Sequence, residues 1–116
     1  MELIDAAPVF PSHVFVAEID GEKARTLRGF YPRIAKTLLF PDYFGNNLDA
    51  LLDCLCSLEV IGQEEVVLLI LNAQLFLSKE KAEKKSAALQ VFRDAEKPEN
   101  RYDGVKFKVI GVRGRR

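Results

Sequence analysis

A chain of 116 residues that is 48% hydrophobic can bury one modest core without metals or disulfides, and it is too apolar to be disordered. Its 17 basic and 17 acidic residues cancel, so overall charge names no partner. The distribution says more: residues 37–78 contain Asp42, Asp49, Asp53, Glu59, Glu64 and Glu65 and no Lys or Arg, an asymmetry that suggests a charged partner.

Residues 1–13 carry Pro8 and Pro11 and show no period, which reads as an irregular N-terminal arm tacked to the body by Val9 and Phe10. Glu2 and Asp5 stand where a secretory signal would carry basic residues. His13, the only histidine, reads as structural or solvated. Residues 14–19 are a β-branched apolar run, a first strand, and Asp20-Gly21 turns the chain. Residues 25–39 read as a helix with awkward punctuation, because Gly29 and Pro32 both disfavour a helix interior. A start near residues 28–31 puts Pro32 in the first turn, where its missing N–H costs little, and leaves Ile34, Ala35, Leu38 and Leu39 as the buried face.

Residues 39–55 organise the chain. Pro41 favours an extended Phe40, Gly45 permits a positive φ, and Asn46 or Asn47 can cap the helix that follows. Leu48, Leu51, Leu52, Leu55 and Leu58 then fall on one helical face. Asp49 and Asp53 are four apart, so they are neighbours that repel by roughly 0.2–0.5 kcal/mol. The helix dipole offsets that cost for Asp49 more than for Asp53. With Tyr43 and Phe44 beside them, the carboxylates form either a surface for a cationic partner or an ordinary solvated face. Cys54 and Cys56 point to different sides of a helix and cannot bridge each other. Without further Cys and with one distant His they do not match a metal site, so they read as reduced thiols, at least one of them buried, which fits the cytoplasm.

Gly62 ends that region. Residues 66–71 are continuously apolar, as in a parallel strand buried on both faces, and the run is far too short to span a bilayer. Asn72 closes it and 73–77 form a short helix or turn. Ser78 reads as the N-cap of a long helix to about residue 96, with a Glu80–Lys84 pair and an apolar face of Ala88, Val91, Phe92 and Ala95. Its Lys-rich start alternates with Glu80 and Glu83, which favours a solvated face over a nucleic-acid patch. Residues 97–104 are loop, 105–112 a last strand and 113–116 a basic tail. One domain over 14–112 with alternating strands and helices is the α/β pattern.

The chain has no phosphate-binding or dinucleotide glycine motif, no His-x-x-x-His and no Gly-x-Ser-x-Gly. Asp49 and Asp53 would need a pocket to act as an acid–base pair, and adjacent turns of a surface helix do not make one. The reading is therefore a non-enzyme with no cofactor or metal.

The run Pro41-Asp42-Tyr43-Phe44-Gly45-Asn46-Asn47-Leu48-Asp49-Ala50-Leu51-Leu52-Asp53-Cys54-Leu55 resembles the signature of the barstar family, intracellular inhibitors of the ribonuclease barnase. Leu89-Gln90-Val91-Phe92-Arg93-Asp94-Ala95 resembles a later helix of that family, and Gly21-Glu22 lies at the family's spacing. The resemblance implies a small three-stranded parallel sheet packed by about four helices. It implies a cytoplasmic immunity protein that blocks a ribonuclease or similar basic nuclease, one to one, with helix carboxylates. Asp53 would enter the phosphate site and Asp49 would meet a second cation. Tyr43 and Asn47 would flank them, and Gly45, Ala50, Leu52 and Cys56 would lie against the enzyme. The chain departs from one member of that family at Leu52, where that member has Trp, and at Ser86, where it has an acidic residue. Two other classes stay open: a protein-interaction module with this fold and no nuclease target, and an RNA-binding domain using residues 79–85 and the tail.

Overall fold

The computed structural model describes residues 1–115. Four parallel strands form one sheet: β1 (Glu2–Ile4), β2 (Val14–Asp20), β3 (Glu65–Leu71) and β4 (Lys106–Val112), in the order β1-β4-β3-β2. Three α-helices connect them: α1 (Leu27–Thr37) and α2 (Leu48–Leu55) between β2 and β3, and α3 (Ala82–Glu96) between β3 and β4. The parallel α/β architecture expected from the sequence is present, with four strands instead of three and three α-helices instead of about four; the remaining helical turns are short 3-10 segments.

The added strand is β1, inside the arm expected to be irregular. Glu2 pairs with Ile110 and Ile4 with Val112. Three residues are too few to show a period, so only tertiary pairing reveals the strand. Gly111 makes room for it, since a Cβ there would lie 2.8 Å from Leu3 Cδ2 and 2.9 Å from Ala73 Cβ.

Alternation along the strands separates two cores. Ala17, Ile19, Val66, Leu68, Ile70, Phe107 and Val109 face the helices, together with Phe30, Ile34, Leu51, Leu55 and Phe92. Val67, Leu69, Leu71, Ile110 and Val112 face the other way and are covered by Ala7 and Phe10 of the arm with Ile4, Val14 and Val16. Phe10 therefore tacks the arm down as expected, whereas Val9 is 96% exposed and does not. Every residue from Val66 to Leu71 is buried, as the unbroken apolar run implied.

Helix boundaries moved where distant groups intervened. Thr26 caps α1, its Oγ1 accepting from Gly29 N–H at 3.1 Å, so Pro32 falls inside the helix and past the first turn. Pro32 and Arg28 both sit on the exposed side, where water can replace the missing donor. Ser78 does not cap α3, which starts only at Ala82. The chain before it runs along α1's start instead: Leu77 and Lys79 N–H donate to the Ala24 and Arg25 carbonyls. Glu80 Oε2 accepts from Leu27 N–H at 2.6 Å, so it serves α1 and lies outside the helix in which a Glu80–Lys84 pair was expected. At the C-terminal end, Arg113 pairs with Asp5 and Arg115 with Asp20, both at 2.8 Å. Arg116 of the basic tail lies outside the described residues.

One ion pair joins the parts. Arg101 and Asp103 side chains are 2% and 0% exposed, 2.7 Å apart. Arg101 also donates to the carbonyls of Ala95 (2.7 Å) and Leu55 (2.8 Å), and lies over the Phe107 ring. Asp103 accepts from Leu58 N–H (2.7 Å) and Val105 N–H (2.9 Å). Burial pushes the Asp103 carboxyl up, but the hydrogen bonds from Arg101, Leu58 and Val105 outweigh it and hold the group below the ordinary aspartate value. A depressed native value means that the pair's contribution is complete above about pH 4 and disappears as pH falls through the lowered value. Asp20, also held low by its bond from Asn72 against the opposing effect of burial, acts in the same window. Asp103→Asn should therefore cost about 3–5 kcal/mol near neutral pH, by leaving Arg101 without its counter-charge, and should flatten part of the acid limb of urea-unfolding stability against pH. An Asp103→Asn protein as stable as wild type at pH 7 would contradict this account.

Candidate functional site

The surface of α2 and the loop before it is built from α1 upward. Helix α1 stops at Leu38, Leu39 adopts a left-handed φ of 56°, and Phe40 N–H returns to the Ala35 carbonyl at 2.9 Å. This is the usual glycine-type helix ending, made here with leucine. A turn follows, closed by Phe44 N–H to the Pro41 carbonyl. The positive φ expected at Gly45 falls instead on Asn46, at 51°. Asparagine tolerates that region, and Gly45 lies close enough to the Asn47 side chain that a Cβ would sit 3.1 Å from its Nδ2.

Aromatic edges hold the loop down. Phe44 packs edge-on against Tyr31 (5.8 Å) and Phe40 (5.0 Å), and Tyr31 continues to the buried Phe30, Phe76 and Phe92. With Phe44 turned inward, its neighbour Tyr43 turns outward and is 87% exposed. Asn47 then caps α2, its Oδ1 accepting from Ala50 N–H at 2.8 Å, and the Leu51 and Leu55 side chains are fully buried.

That registration brings together most of the residues expected at the site. Tyr43, Gly45, Asn47, Asp49 and Asp53 are exposed, while Ala50 and Leu52 are half-buried. Among the described residues, nothing pairs with the carboxylates of Asp49 or Asp53. Cys56 is set apart from them: it closes α2 and is 2% exposed, so its side chain belongs to the core. Burial pushes the Cys54 and Cys56 thiols up, and the Asp53 charge adds to the shift, which makes both poor nucleophiles near neutral pH.

Asp53 borders a groove of about 570 Å³ whose walls include Leu39, Tyr43, Val60 and Tyr102. Sequence reasoning assigned Leu39 to the buried helix face and passed over Val60 and Tyr102. For Leu39 the available signal was Pro41, which ends the helix and lets Leu39 swing out. For Tyr102 it was a lone aromatic in an otherwise polar loop. No helix among the described residues is long and apolar enough to cross a membrane.

Parallel α/β topology carries a capped helix whose outer face presents two exposed carboxylates. A family model described as Barstar (barnase inhibitor) matches residues 14–110. The chain belongs to the barstar family.

Because Asp49 and Asp53 repel across one turn and have no partners among the described residues, Asp53→Asn should leave the fold unchanged or stabilise it by about 0.2–0.5 kcal/mol in urea unfolding. A loss above roughly 0.5 kcal/mol would mark Asp53 as a structural residue instead.

Proposed function

We propose that this protein inhibits a ribonuclease by occupying its phosphate-binding site with the carboxylates of α2, one inhibitor to one enzyme. The observation that carries the reading is Asp53: an exposed carboxylate on a capped, rigid helix, with no described partner and no cation in residues 37–78. A ribonuclease must gather Arg, Lys and His around a phosphodiester. Carboxylates held at the same spacing accept charge-assisted hydrogen bonds from those groups and leave nothing to cleave. Asp53 is the central anchor and Asp49 meets a second cation one helical turn away. Tyr43, Gly45, Asn47, Ala50 and Leu52 border them, and Cys56 acts only through the core. Inhibition is by occupancy, so the protein needs no catalytic group or cofactor. The reading places the protein in the cytoplasm as an immunity protein, guarding its own cell's RNA.

The test is inhibition of RNA cleavage by barnase and by other small basic ribonucleases, with calorimetry for stoichiometry. Against an inhibited enzyme, Asp53→Ala should weaken binding by about 2–5 kcal/mol, a general range that the barnase–barstar pair itself helped to establish. The association rate should fall steeply with salt while dissociation changes less, because residues 37–78 carry six carboxylates and no cation. Binding unchanged by Asp53→Ala, or association rates flat in salt, would refute the assignment.

Leu52 and Ser86 set the choice of enzyme. Leu52 offers less rigid area than an aromatic residue, and Ser86, exposed on α3, leaves any cation opposite it without a counter-charge. Barnase should therefore be a poor target, by roughly 3–6 kcal/mol, and Leu52→Trp and Ser86→Glu should each improve its inhibition. Subnanomolar inhibition of barnase by the wild type would overturn this point.

A further inference from the structure

Isolated apolar side chains on a protein surface need no explanation, but clustered ones do. Six large hydrophobic residues are exposed among the described residues, and four of them, Leu39, Tyr43, Val60 and Tyr102, line the one groove beside Asp53. The charged residues lining that groove are Asp53 and Glu59, both carboxylates.

The walls are fixed before anything binds. Tyr102 is 76% exposed, yet it stands between the buried, ion-paired side chains of Arg101 and Asp103. Its own N–H donates to the Cys56 carbonyl at 3.0 Å. Leu39 is held at a left-handed φ that glycine would adopt without strain, and the groove is where its side chain goes. Val60 sits in the turn Glu59–Ile61, closed by Ile61 N–H to the Leu58 carbonyl and by Gly62 N–H to the Glu59 carbonyl. An exposed tyrosine on an immobile backbone loses little entropy on binding, which is the profile of an interface hot spot.

We propose that this groove is a specificity pocket: it receives a large apolar or aromatic side chain that the basic partner carries directly beside the cation meeting Asp53, with Tyr102 as its principal wall. The proposal rests on the reading that Asp53 faces a basic protein. It adds that the partner is selected by a paired cation and apolar group, with the apolar half read by Leu39, Val60 and Tyr102.

The experiment titrates the isotope-labelled full chain with three capped dipeptides, followed by amide chemical shifts. The probes are N-acetyl-phenylalanyl-arginine amide, N-acetyl-glycyl-arginine amide and N-acetyl-phenylalanyl-glycine amide. The first should shift the amides of Leu39, Asp53, Val60 and Tyr102 and bind about fivefold or more tighter than either of the others. Tyr102→Ala should reduce its affinity to that of the glycyl-arginine probe, and Asp53→Asn to that of the phenylalanyl-glycine probe. Both side chains are exposed, and a native amide spectrum of each variant verifies its fold. Equal affinities for the first two probes, shifts centred elsewhere, or no saturable shift would overturn the pocket. Ribonuclease inhibition is measured separately: inhibition without peptide preference removes the pocket and keeps the inhibitor reading. Peptide preference without inhibition of any ribonuclease does the reverse.

Discussion

The buried Arg101–Asp103 pair is the constraint on which the arrangement depends. Its bonds reach the end of α2 through Leu55, the turn after it through Leu58, the end of α3 through Ala95, and the start of β4 through Val105. Two charges taken out of water do not stabilise a fold by attraction alone, because their desolvation is of similar size. What this pair adds is direction. Its polar atoms are satisfied only when both helices and the last strand end in the observed places. The outer turns of α2, and with them Asp49 and Asp53, inherit their orientation from a bond network on the inner side of the helix.

The outer surface shows the opposite economy. Like charges sit one turn apart without partners among the described residues, a leucine occupies a left-handed position, and four large apolar side chains around the groove face solvent. Each is mildly unfavourable for the isolated chain, and all lie within one stretch of surface. The aromatic contacts from Phe92 through Phe30 and Tyr31 to Phe44 supply the rigidity that keeps this stretch from relaxing. Stability and recognition are thus divided between neighbouring residues: Phe44 inward and Tyr43 outward, Arg101 and Asp103 inward and Tyr102 outward.

Local chemistry was legible in the sequence and long-range chemistry was not. A cap at Asn46 or Asn47, the leucine face of α2 and the doubly buried β3 follow from spacing alone, and the structure puts the cap at Asn47. The placement of Asp49 and Asp53 on an outer face follows with them. Cys56, at the end of α2, lies where the outer face turns inward, and its side chain is buried. The start of α3 was misplaced because Glu80 bonds to Leu27, a residue 53 positions away. The Arg101–Asp103 network and the groove wall at Tyr102 were invisible for a related reason: a charged pair in a polar loop looks the same whether solvated or buried. Strand β1 was hidden by its brevity, since its stability comes from pairing with β4 and from the space left at Gly111.

The two faces of the sheet are insulated very differently. One lies beneath three helices, whereas Val67, Leu69, Leu71, Ile110 and Val112 lie beneath a strap of irregular chain fastened mainly by Ala7 and Phe10. A strap makes few contacts per residue and opens as a unit, at less cost than unfolding the domain. Its opening would uncover a patch of adjoining β-branched and leucine side chains, the kind of surface through which chains stick to one another. The first dozen or so residues are thus expected to set how readily the concentrated protein sticks to itself, separately from the stability supplied on the helical side of the sheet.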